Sequence, residues 1–251
     1  VTNEQDLAAL RAYHYGSPDI VESPAEWFNF DGAGKITAFN YQPGRENVVI
    51  PWEIGGVPVT TIGDGAFQGS GIVSVIAPQT VKTIGNRAFD YCVSLASVSL
   101  PQAQTVGATA FAECVSLASV PLPQVTAIGD YAFSFCNSLA SVPLPQVTAI
   151  GDRAFYGCAM LTAVHMGQNA PAEAEDVFAG IATPPTVYVT NPQATGWSAV
   201  WNGAPVVRPP LYGSSVTAQA YTLNGDTITE WPAGGGSVPY TDWTGTVTPQ
   251  N

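Results

Sequence analysis

The chain has 251 residues and a formal net charge of −12, and only 10% of its residues are charged, against about 25% in typical soluble domains. An acidic chain repels phosphate groups, which argues against a nucleic-acid partner. No apolar stretch in the sequence is long enough to span a membrane as a helix. The length suits one large domain or two small ones.

Residues 1–47 are predicted to form an N-terminal cap made of one helix and one β-hairpin. Residues 3–14 carry apolar side chains at helical spacing, and Gly16-Ser17-Pro18 ends the helix. From Trp27 to Tyr41 the apolar residues alternate on both sides of Asp31-Gly32-Ala33-Gly34, a pattern typical of a hairpin. We expect this hairpin to cover the first coil of the repeat that follows.

A strict 22-residue repeat fills the centre of the chain. Ile-Gly or Val-Gly recurs at residues 62, 84, 106, 128 and 150, Ala-Phe follows each pair, and four of the five copies close with Cys. The shared apolar positions, which we predict to form the core, are Phe67, Phe89, Phe111, Phe133, Phe155, Cys92, Cys114, Cys136 and Cys158. One such unit cannot bury these side chains alone, so successive coils must stack. The repeat therefore predicts a solenoid.

Each unit is interpreted as a short strand, a turn and a short helical segment. The stretch from Leu117 to Leu122 ends in the alternation of a half-buried strand, with Val120 facing inward and Ser119 facing outward. Gly129 is expected to adopt a backbone conformation that a side chain would resist. Asp130, like the polar residue of three other copies, is expected to cap the short helix.

The predicted fold class is therefore an α/β repeat solenoid. Its coils of 22 residues place a parallel β-sheet on one side and short helical turns on the other, and β-rich caps flank the stack. The solenoid is expected to occupy residues 48–208, with a degenerate last coil around Val177–Gly180. A C-terminal cap bearing Trp197 and Trp201 follows.

The unit Leu-x-x-Val-x-Leu-Pro-x-Val-x-x-Ile-Gly-x-x-Ala-Phe-x-x-Cys resembles the leucine-rich repeat of the BspA-like bacterial surface proteins. The segment from Ile50-Pro51 to Thr60 resembles the usual lead-in of that family. The resemblance covers roughly residues 48 to 166 and departs from the pattern at Ser70, at Ala108 and by a one-residue shift within Gly71–Thr83. It implies an exported protein, extracellular or on the cell surface, that mediates adhesion and protein binding. Because the chain opens with Val1, we expect a mature or trimmed form without its signal peptide.

The C-terminal part of the chain contains further β-signals. Residues Thr186–Thr190 are predicted as a strand, and Pro192–Trp201 as a short helix with both Trp residues on one face, where they seal the core. Residues 209–251 are predicted to form a β-rich tail or small module. Within it, Tyr221–Ile228 has the Asn-Gly pattern of a hairpin, and Ser237–Val247 is a further candidate strand.

The four cysteines recur at the same point of successive coils, about 4.8 Å apart if the strands pair there. Equivalent side chains point in parallel, whereas a disulfide requires converging Cβ atoms. Buried free thiols that fill apolar space are therefore favoured over disulfide bridges. A zinc site is the weaker alternative, because its ligands must converge. The sequence assigns no catalytic, cofactor-binding or metal-binding residue.

The two faces of the predicted solenoid differ in what they offer a partner. The outward row of the sheet begins Ser97, Ser119 and Ser141, which is small and neutral. The opposite side carries aromatic residues at variable positions, as recognition surfaces do, and scattered surface aromatics are the alternative interpretation. The candidate partner-binding residues are Tyr91, Tyr131, Phe135 and Tyr156.

Three functional hypotheses remain. The first is a monomeric, non-catalytic protein that adheres to a protein or glycan partner on a host or neighbouring cell. The second is a passive spacer that presents another domain. The third is a carbohydrate-active enzyme, although no nucleophile, base and orienting group stand at a recognisable spacing.

Overall fold

The structure is a computed structural model that describes residues 4–17, 19–172 and 174–208 and, near the C terminus, the segments 221–223, 226–228 and 248–249. The chain divides into two compact units, Val1–Pro209 and Pro210–Asn251. The larger unit contains five regular coils of the repeat. We number these coils 1 to 5, and they begin at Thr60, Lys82, Gln104, Thr126 and Thr148.

In chain order, the elements of the larger unit are α1 (Glu4–Tyr15), a 3-10 helix (Ala25–Trp27), β1 (Phe28–Phe30), β2 (Lys35–Phe39), β3 (Asn47–Val49), β4 (Glu53–Ile54), β5 (Val57–Pro58), β6 (Thr61–Ile62), β7 (Ser74–Ile76), β8 (Thr83–Ile84), β9 (Ser97–Ser99), β10 (Thr105–Val106), β11 (Ala127–Ile128), β12 (Ser141–Leu144), β13 (Ala149–Ile150), β14 (Ala163–Met166), β15 (Thr186–Val189), β16 (Val200–Trp201) and β17 (Ala204–Val207). Parallel pairing between coils dominates, and the predicted solenoid is confirmed.

One sheet is built from the Ile-Gly segments and has the order β1-β2-β6-β8-β10-β11-β13. Strands β1 and β2 pair antiparallel. From β2 onward the strands pair in parallel at a constant register, so that Ile62 lies beside Ile84 and Ile128 beside Ile150. The sequence did not predict this sheet. Its strands inside the repeat are two residues long, which is too short for an alternating pattern to be visible.

The predicted sheet of the Leu-x-x-Val segments forms in two parts, β3-β7-β9 and β12-β14-β15-β17-β16. A single bridge from Ser97 to Ser119 extends the first part into coil 3. The two parts are separated where Pro121 and Pro143 stand on adjacent coils. Proline has no amide hydrogen to donate, so the ladder between these coils cannot be completed.

The core is organised around a stack of phenylalanine rings. In each regular coil the Phe is fully or almost fully buried, and rings of neighbouring coils stack with nearly parallel planes. The centroid distances are 4.9 Å for Phe67–Phe89, 5.0 Å for Phe89–Phe111, and 5.3 Å for Phe111–Phe133 and for Phe133–Phe155. Inward-facing Leu, Val and Ile side chains of both sheets surround this stack.

The segment after each Ile-Gly pair is a run of turns instead of a short helix. In coil 2, the amide of Asp90 donates to the carbonyl of Arg87 (3.1 Å), three residues earlier, whereas the amide of Phe89 donates to the carbonyl of Ala110 in coil 3 (2.7 Å). Alternate amides thus bond within the coil and between coils. An α-helix cannot form in this arrangement, because it would use every amide within its own segment.

The polar residue after each Ile-Gly pair caps the neighbouring coil. Asp64 Oδ1 accepts a hydrogen bond from the amide of Asn86, 22 residues later, at 2.8 Å. The equivalent bonds run from the amide of Ala108 to Asn86, from Asp152 to Asp130 and from Glu175 to Asp152, at 2.8–2.9 Å. The prediction that Asp130 caps a helix of its own coil is therefore wrong. Ala108 has no side-chain oxygen and interrupts this polar row.

The glycine of each Ile-Gly pair is required by the close approach of successive coils. A Cβ on Gly107 would lie 2.7 Å from the amide nitrogen of Asn86, and one on Gly129 would lie 2.6 Å from that of Ala108. Gly129 does not have a positive φ. The expectation that it supplies an unusual backbone conformation is therefore wrong, since inter-coil distance decides the residue type.

At the N-terminal end, the hairpin of β1 and β2 continues the solenoid as an additional coil. Strand β2 pairs in parallel with β6, and Phe39 stacks on Phe67 with a centroid distance of 4.9 Å. Helix α1 packs against the segment that follows β3: the His14 ring stacks on Trp52 at 5.2 Å. The hydroxyl of Tyr15 lies 2.7 Å from the carbonyl oxygen of Ile50.

At the C-terminal end of the larger unit, tryptophans end the phenylalanine stack. Phe178 continues it at 6.0 Å from Phe155, Trp201 packs edge-on against Phe178 at 5.7 Å, and Trp197 packs against Trp201 at 5.6 Å. The helix predicted over Pro192–Trp201 is wrong, because this stretch consists of turns and the short strand β16. Gly196 within it has a φ of +81°, in the left-handed region, which interrupts helical geometry.

The smaller unit contains β18 (Tyr221–Leu223), β19 (Asp226–Ile228) and β20 (Thr248–Pro249) in the order β19-β18-β20. Strands β18 and β19 pair antiparallel, with Tyr221 opposite Ile228. They flank the Asn-Gly pair from which the hairpin was predicted. The candidate strand over Ser237–Val247 lies outside the described residues.

Replacement of Phe133 by Ala should lower the free energy of unfolding by about 3–5 kcal/mol, because it removes a buried ring that stacks on both neighbours. Phe178→Ala, at the more widely spaced end of the stack, should cost clearly less. Chemical denaturation of both variants measures the difference. Equal losses at the two sites would contradict a regular core within coils 1 to 5.

Ala108→Asn should raise the free energy of unfolding by about 1 kcal/mol, because the new side chain restores the acceptor missing from the polar row. The matched control is Asn86→Ala, which removes an existing acceptor and should lower stability by a similar amount. Both are measured by urea denaturation. Destabilisation by Ala108→Asn would show that the row does not tolerate a side chain in coil 3.

Candidate partner-binding surface

The outward side of the turn runs, which we call the turn face, is formed by residues 64–70, 86–92, 108–114, 130–136, 152–158 and 175–181. Two residues of each run have a positive φ, four positions apart. The first left-handed column consists of Gly65, Arg87, Thr109, Tyr131, Arg153 and Asp176, and the second consists of Gly69, Tyr91, Glu113, Phe135, Gly157 and Gly180. Because every coil repeats this geometry, the fold imposes the left-handed conformation whatever residue is present.

Three of the four predicted partner-binding aromatics occupy these left-handed positions. The φ angles are +58° at Tyr91, +55° at Tyr131 and +58° at Phe135. A left-handed conformation costs an L-residue roughly 1–2 kcal/mol, and a bulky residue there is an outlier. Glycine, which stands at equivalent positions in other coils, avoids this cost. Residues held in such conformations cluster at functional sites.

Tyr131, Phe135 and Tyr156 lie together on coils 4 and 5, with Arg153 among them, and we call these four residues the aromatic patch. Arg153 Nη1 donates to the Tyr131 hydroxyl at 2.8 Å, and the guanidinium carbon lies 5.8 Å from the centre of the Tyr131 ring. The rings of Phe135 and Tyr156 pack edge to face at 5.3 Å. Two side-chain pairs therefore bridge the same two coils.

Glycines of the following coils make room for the rings of the aromatic patch. A Cβ on Gly157 would lie 2.8 Å from the Phe135 ring, and one on Gly180 would lie 3.3 Å from the Tyr156 ring. Each ring therefore lies over the backbone of the next coil. The positions of the two rings therefore depend on glycines that lie 22 to 24 residues later in the chain.

Tyr91 stands apart from the aromatic patch. It belongs to the same column as Phe135 but lies two coils away, with Glu113 between them. Its side chain is 57% exposed, compared with 39% for Phe135. The structure thus brings together three of the four predicted residues and leaves the fourth isolated.

Near the C-terminal end of the larger unit, the sheet face carries a row of rings. Pro143 on β12 lies beside His165 on β14, which lies beside Tyr188 on β15, followed by Val207 on β17. The His165 and Tyr188 rings stack at 5.2 Å, and Tyr188 is 38% exposed. Burial lowers the pKa of His165. This end of the sheet face therefore carries larger side chains than the row of Ser97, Ser119 and Ser141. The alternation of apolar residues around Tyr188 was the sequence signal that this ring faces outward.

The four cysteines are free and buried. Each thiol donates to the carbonyl oxygen of a Phe in the preceding coil: Cys92 to Phe67, Cys114 to Phe89, Cys136 to Phe111 and Cys158 to Phe133, at 3.0–3.2 Å. Burial is the main cause that raises the pKa of every thiol, to about 11 for Cys92 and about 12 for Cys158. Among the described residues, no group of three or more His, Cys, Asp or Glu side chains is placed to hold a metal ion.

Comparisons with known proteins agree with this architecture. A family model described as "BspA type Leucine rich repeat region" matches residues 60–182 in six copies. A leucine-rich repeat protein from T. pallidum is 36% identical, with a TM-score of 0.55, over 59% of this chain and 74% of that protein. No curated protein matches the chain.

Two further solved structures are more distant. A leucine-rich repeat protein from Bacteroides ovatus is 21% identical over 76% of this chain and 71% of that one, with a TM-score of 0.41. The pneumococcal vaccine antigen PcpA is 16% identical over 73% of this chain and 46% of that one, with a TM-score of 0.48. Across the part of the chain that the structure describes, no helix combines the length and apolar character needed to cross a membrane.

A thiol reagent should label none of the four cysteines in the folded chain at neutral pH and all four after denaturation without reductant, because the buried thiols stay protonated. The folded pKa of Cys92 lies above its ordinary value of 9.0. As the pH rises above 9.0, the thiols ionise in the unfolded chain before they ionise in the folded chain. The free energy of unfolding therefore decreases as the pH rises. Rapid labelling of the folded chain, or fewer than four thiols after denaturation, would contradict this.

Proposed function

Because the chain belongs to the BspA-type leucine-rich repeat proteins, we propose that it is a non-catalytic, monomeric protein, extracellular or on the cell surface, that binds a macromolecule. The binding site in this proposal is the aromatic patch on the turn face. The observation that carries it is the placement of Tyr131 and Phe135 at left-handed positions, where glycine would be less strained.

The composition of the aromatic patch supports a role in recognition. Tyr and Arg are among the residue types that contribute most to binding energy at protein interfaces. In the patch, three rings and one guanidinium are held by contacts between coils 4 and 5. Such preorganised side chains lose little conformational freedom when a partner binds.

The patch is small, so one copy is expected to bind weakly. A standard interface buries about 800 Å² on each partner, which is more than a few half-buried rings can provide. Display of many copies on one surface would raise the effective concentration of the site and offset weak single contacts. The proposed partner is a protein or glycan of a host or neighbouring cell, as the adhesion hypothesis requires.

The proposed domain roles are consistent with rigid presentation of this site. We propose that residues 1–47 act as the N-terminal cap, residues 48–208 as the solenoid with its C-terminal cap, and residues 209–251 as a β-rich module. Phe39 on Phe67 and Trp201 on Phe178 support the two caps. Caps prevent the open ends of a stack from exposing apolar side chains.

A passive spacer is the second candidate function. It is favoured by the outward-facing Ser97, Ser119 and Ser141, which are small and neutral along the sheet. A spacer does not require any particular side chain on the turn face, whereas the binding hypothesis requires the aromatic patch. Substitutions on the two faces therefore separate the candidates.

Binding to extracellular-matrix proteins and glycans should be weakened about tenfold by Tyr131→Ser with Tyr156→Ser, because anchor residues carry most interface energy. Ser119→Arg with Ser141→Arg on the sheet face should leave binding intact. A pull-down followed by titration measures both pairs. If the arginine pair abolishes binding while the serine pair does not, the sheet face is the site. If no variant and no wild-type protein binds, the spacer is supported.

A further inference from the structure

The aromatic patch lies in a strongly acidic part of the turn face. On one flank, the exposed carboxylates are Asp130, Asp152, Glu175 and Asp176. On the other flank, Glu113 stands next to Phe135 in the second left-handed column. The patch is thus bordered by negative charge on both sides.

Positive charge is almost absent from this region. Between residues 88 and 207 the sequence contains seven Asp or Glu residues, and Arg153 is the one Lys or Arg. Its Nη2 atom lies 2.9 Å from Asp176 Oδ2, and its Nη1 atom donates to Tyr131. These partners raise the pKa of Arg153 further. Because Asp176 balances the charge of Arg153, the net potential over the patch is negative.

We propose that the aromatic patch accepts a cationic side chain, an Arg or Lys from a segment of a partner protein, against its partly exposed rings. This inference rests on the proposed function and adds the chemistry of the partner. A guanidinium or ammonium within about 6 Å of an aromatic ring centre is attracted to the ring face. Arg153 already makes such a contact with Tyr131 within the chain.

Charge complementarity selects this class of partner over others. The flanking carboxylates attract a basic segment before contact and accelerate its association. The same carboxylates repel nucleic acids and anionic membrane surfaces. A neutral glycan would stack on the rings without sensing the carboxylates, so its binding would not depend on salt. The dependence of binding on ionic strength therefore distinguishes a basic segment from a glycan.

The test uses fluorescence-labelled octa-arginine as the probe, with octa-glutamate as the peptide control, titrated against the full chain at low and moderate salt. Octa-arginine should bind, weaken as salt rises, and bind at least about tenfold tighter than octa-glutamate. Absence of octa-arginine binding at low salt would overturn the inference.

Phe135→Gly tests the ring without harming the fold. The substitution relieves the left-handed strain, so the variant should be at least as stable as the natural chain while it binds octa-arginine about fivefold more weakly. The matched control is Tyr91→Gly, which removes a ring from the same column outside the aromatic patch. This control should gain stability and bind the peptide unchanged. If Phe135→Gly binds octa-arginine as tightly as the natural chain does, attraction to the carboxylates alone explains the binding and the inference is overturned.

Asp130→Asn and Asp152→Asn test the carboxylates. Asparagine keeps the Oδ1 acceptor that caps the next coil, as Asn86 does in the natural chain, so the fold is retained. Each substitution should weaken octa-arginine binding about threefold and reduce its salt dependence. Asp64→Asn, at the far end of the polar row, is the control and should have no such effect.

The two proposals fail in different ways. If Tyr131→Ser with Tyr156→Ser abolishes binding to a matrix partner while Asp130→Asn and Asp152→Asn do not affect it, the proposed function stands and the cationic partner is wrong. If neither set of variants affects that partner, the site itself is wrong. Loss of the partner in both sets supports both proposals.

Discussion

Stacking of one phenylalanine ring per coil is the interaction on which the structure depends. Parallel strands are about 4.8 Å apart, and aromatic rings stack with centroids in nearly the same range. One translation between coils therefore satisfies the backbone hydrogen bonds and the ring contacts together. The spacing of 4.9–5.3 Å from Phe67 to Phe155 reflects this agreement. Where the repeat becomes irregular, at Phe178, the spacing grows to 6.0 Å.

The short distance between coils determines the other recurring features of the repeat. It leaves no space for a Cβ at Gly107 or Gly129, and it brings the side chain of Asp64 to the amide of Asn86. It also places each thiol against a carbonyl of the preceding coil, as for Cys92 and Phe67. Apart from Ser70 and Ala108, residues of the same kind stand at these positions in the regular coils, because they meet the same steric and hydrogen-bonding demands.

The turn face is the part of the coil where residue type can vary, although its backbone cannot. Each coil holds two left-handed positions there, and the chain fills them with Gly65 or Gly157 in some coils and with Tyr131 or Phe135 in others. The aromatic choices reduce the stability that glycine would provide. They are concentrated where carboxylates are abundant and bases are scarce, which connects the strain of the backbone to the chemistry of the proposed partner.

The strict period of 22 residues was sufficient to predict the solenoid, because five registered copies specify which side chains must stack. It also identified Phe133 and its equivalents as residues shared by all coils. The period could not show that Asp130 caps the next coil or that close packing between coils requires Gly129. It also could not show that the side chains of Tyr131 and Arg153 are in contact. Each of these depends on contacts between residues about 22 positions apart, which leave no local pattern in the sequence. The tertiary structure alone decided that Tyr156 joins Phe135 while Tyr91 remains apart, because the depth and direction of each ring depend on the neighbouring coil.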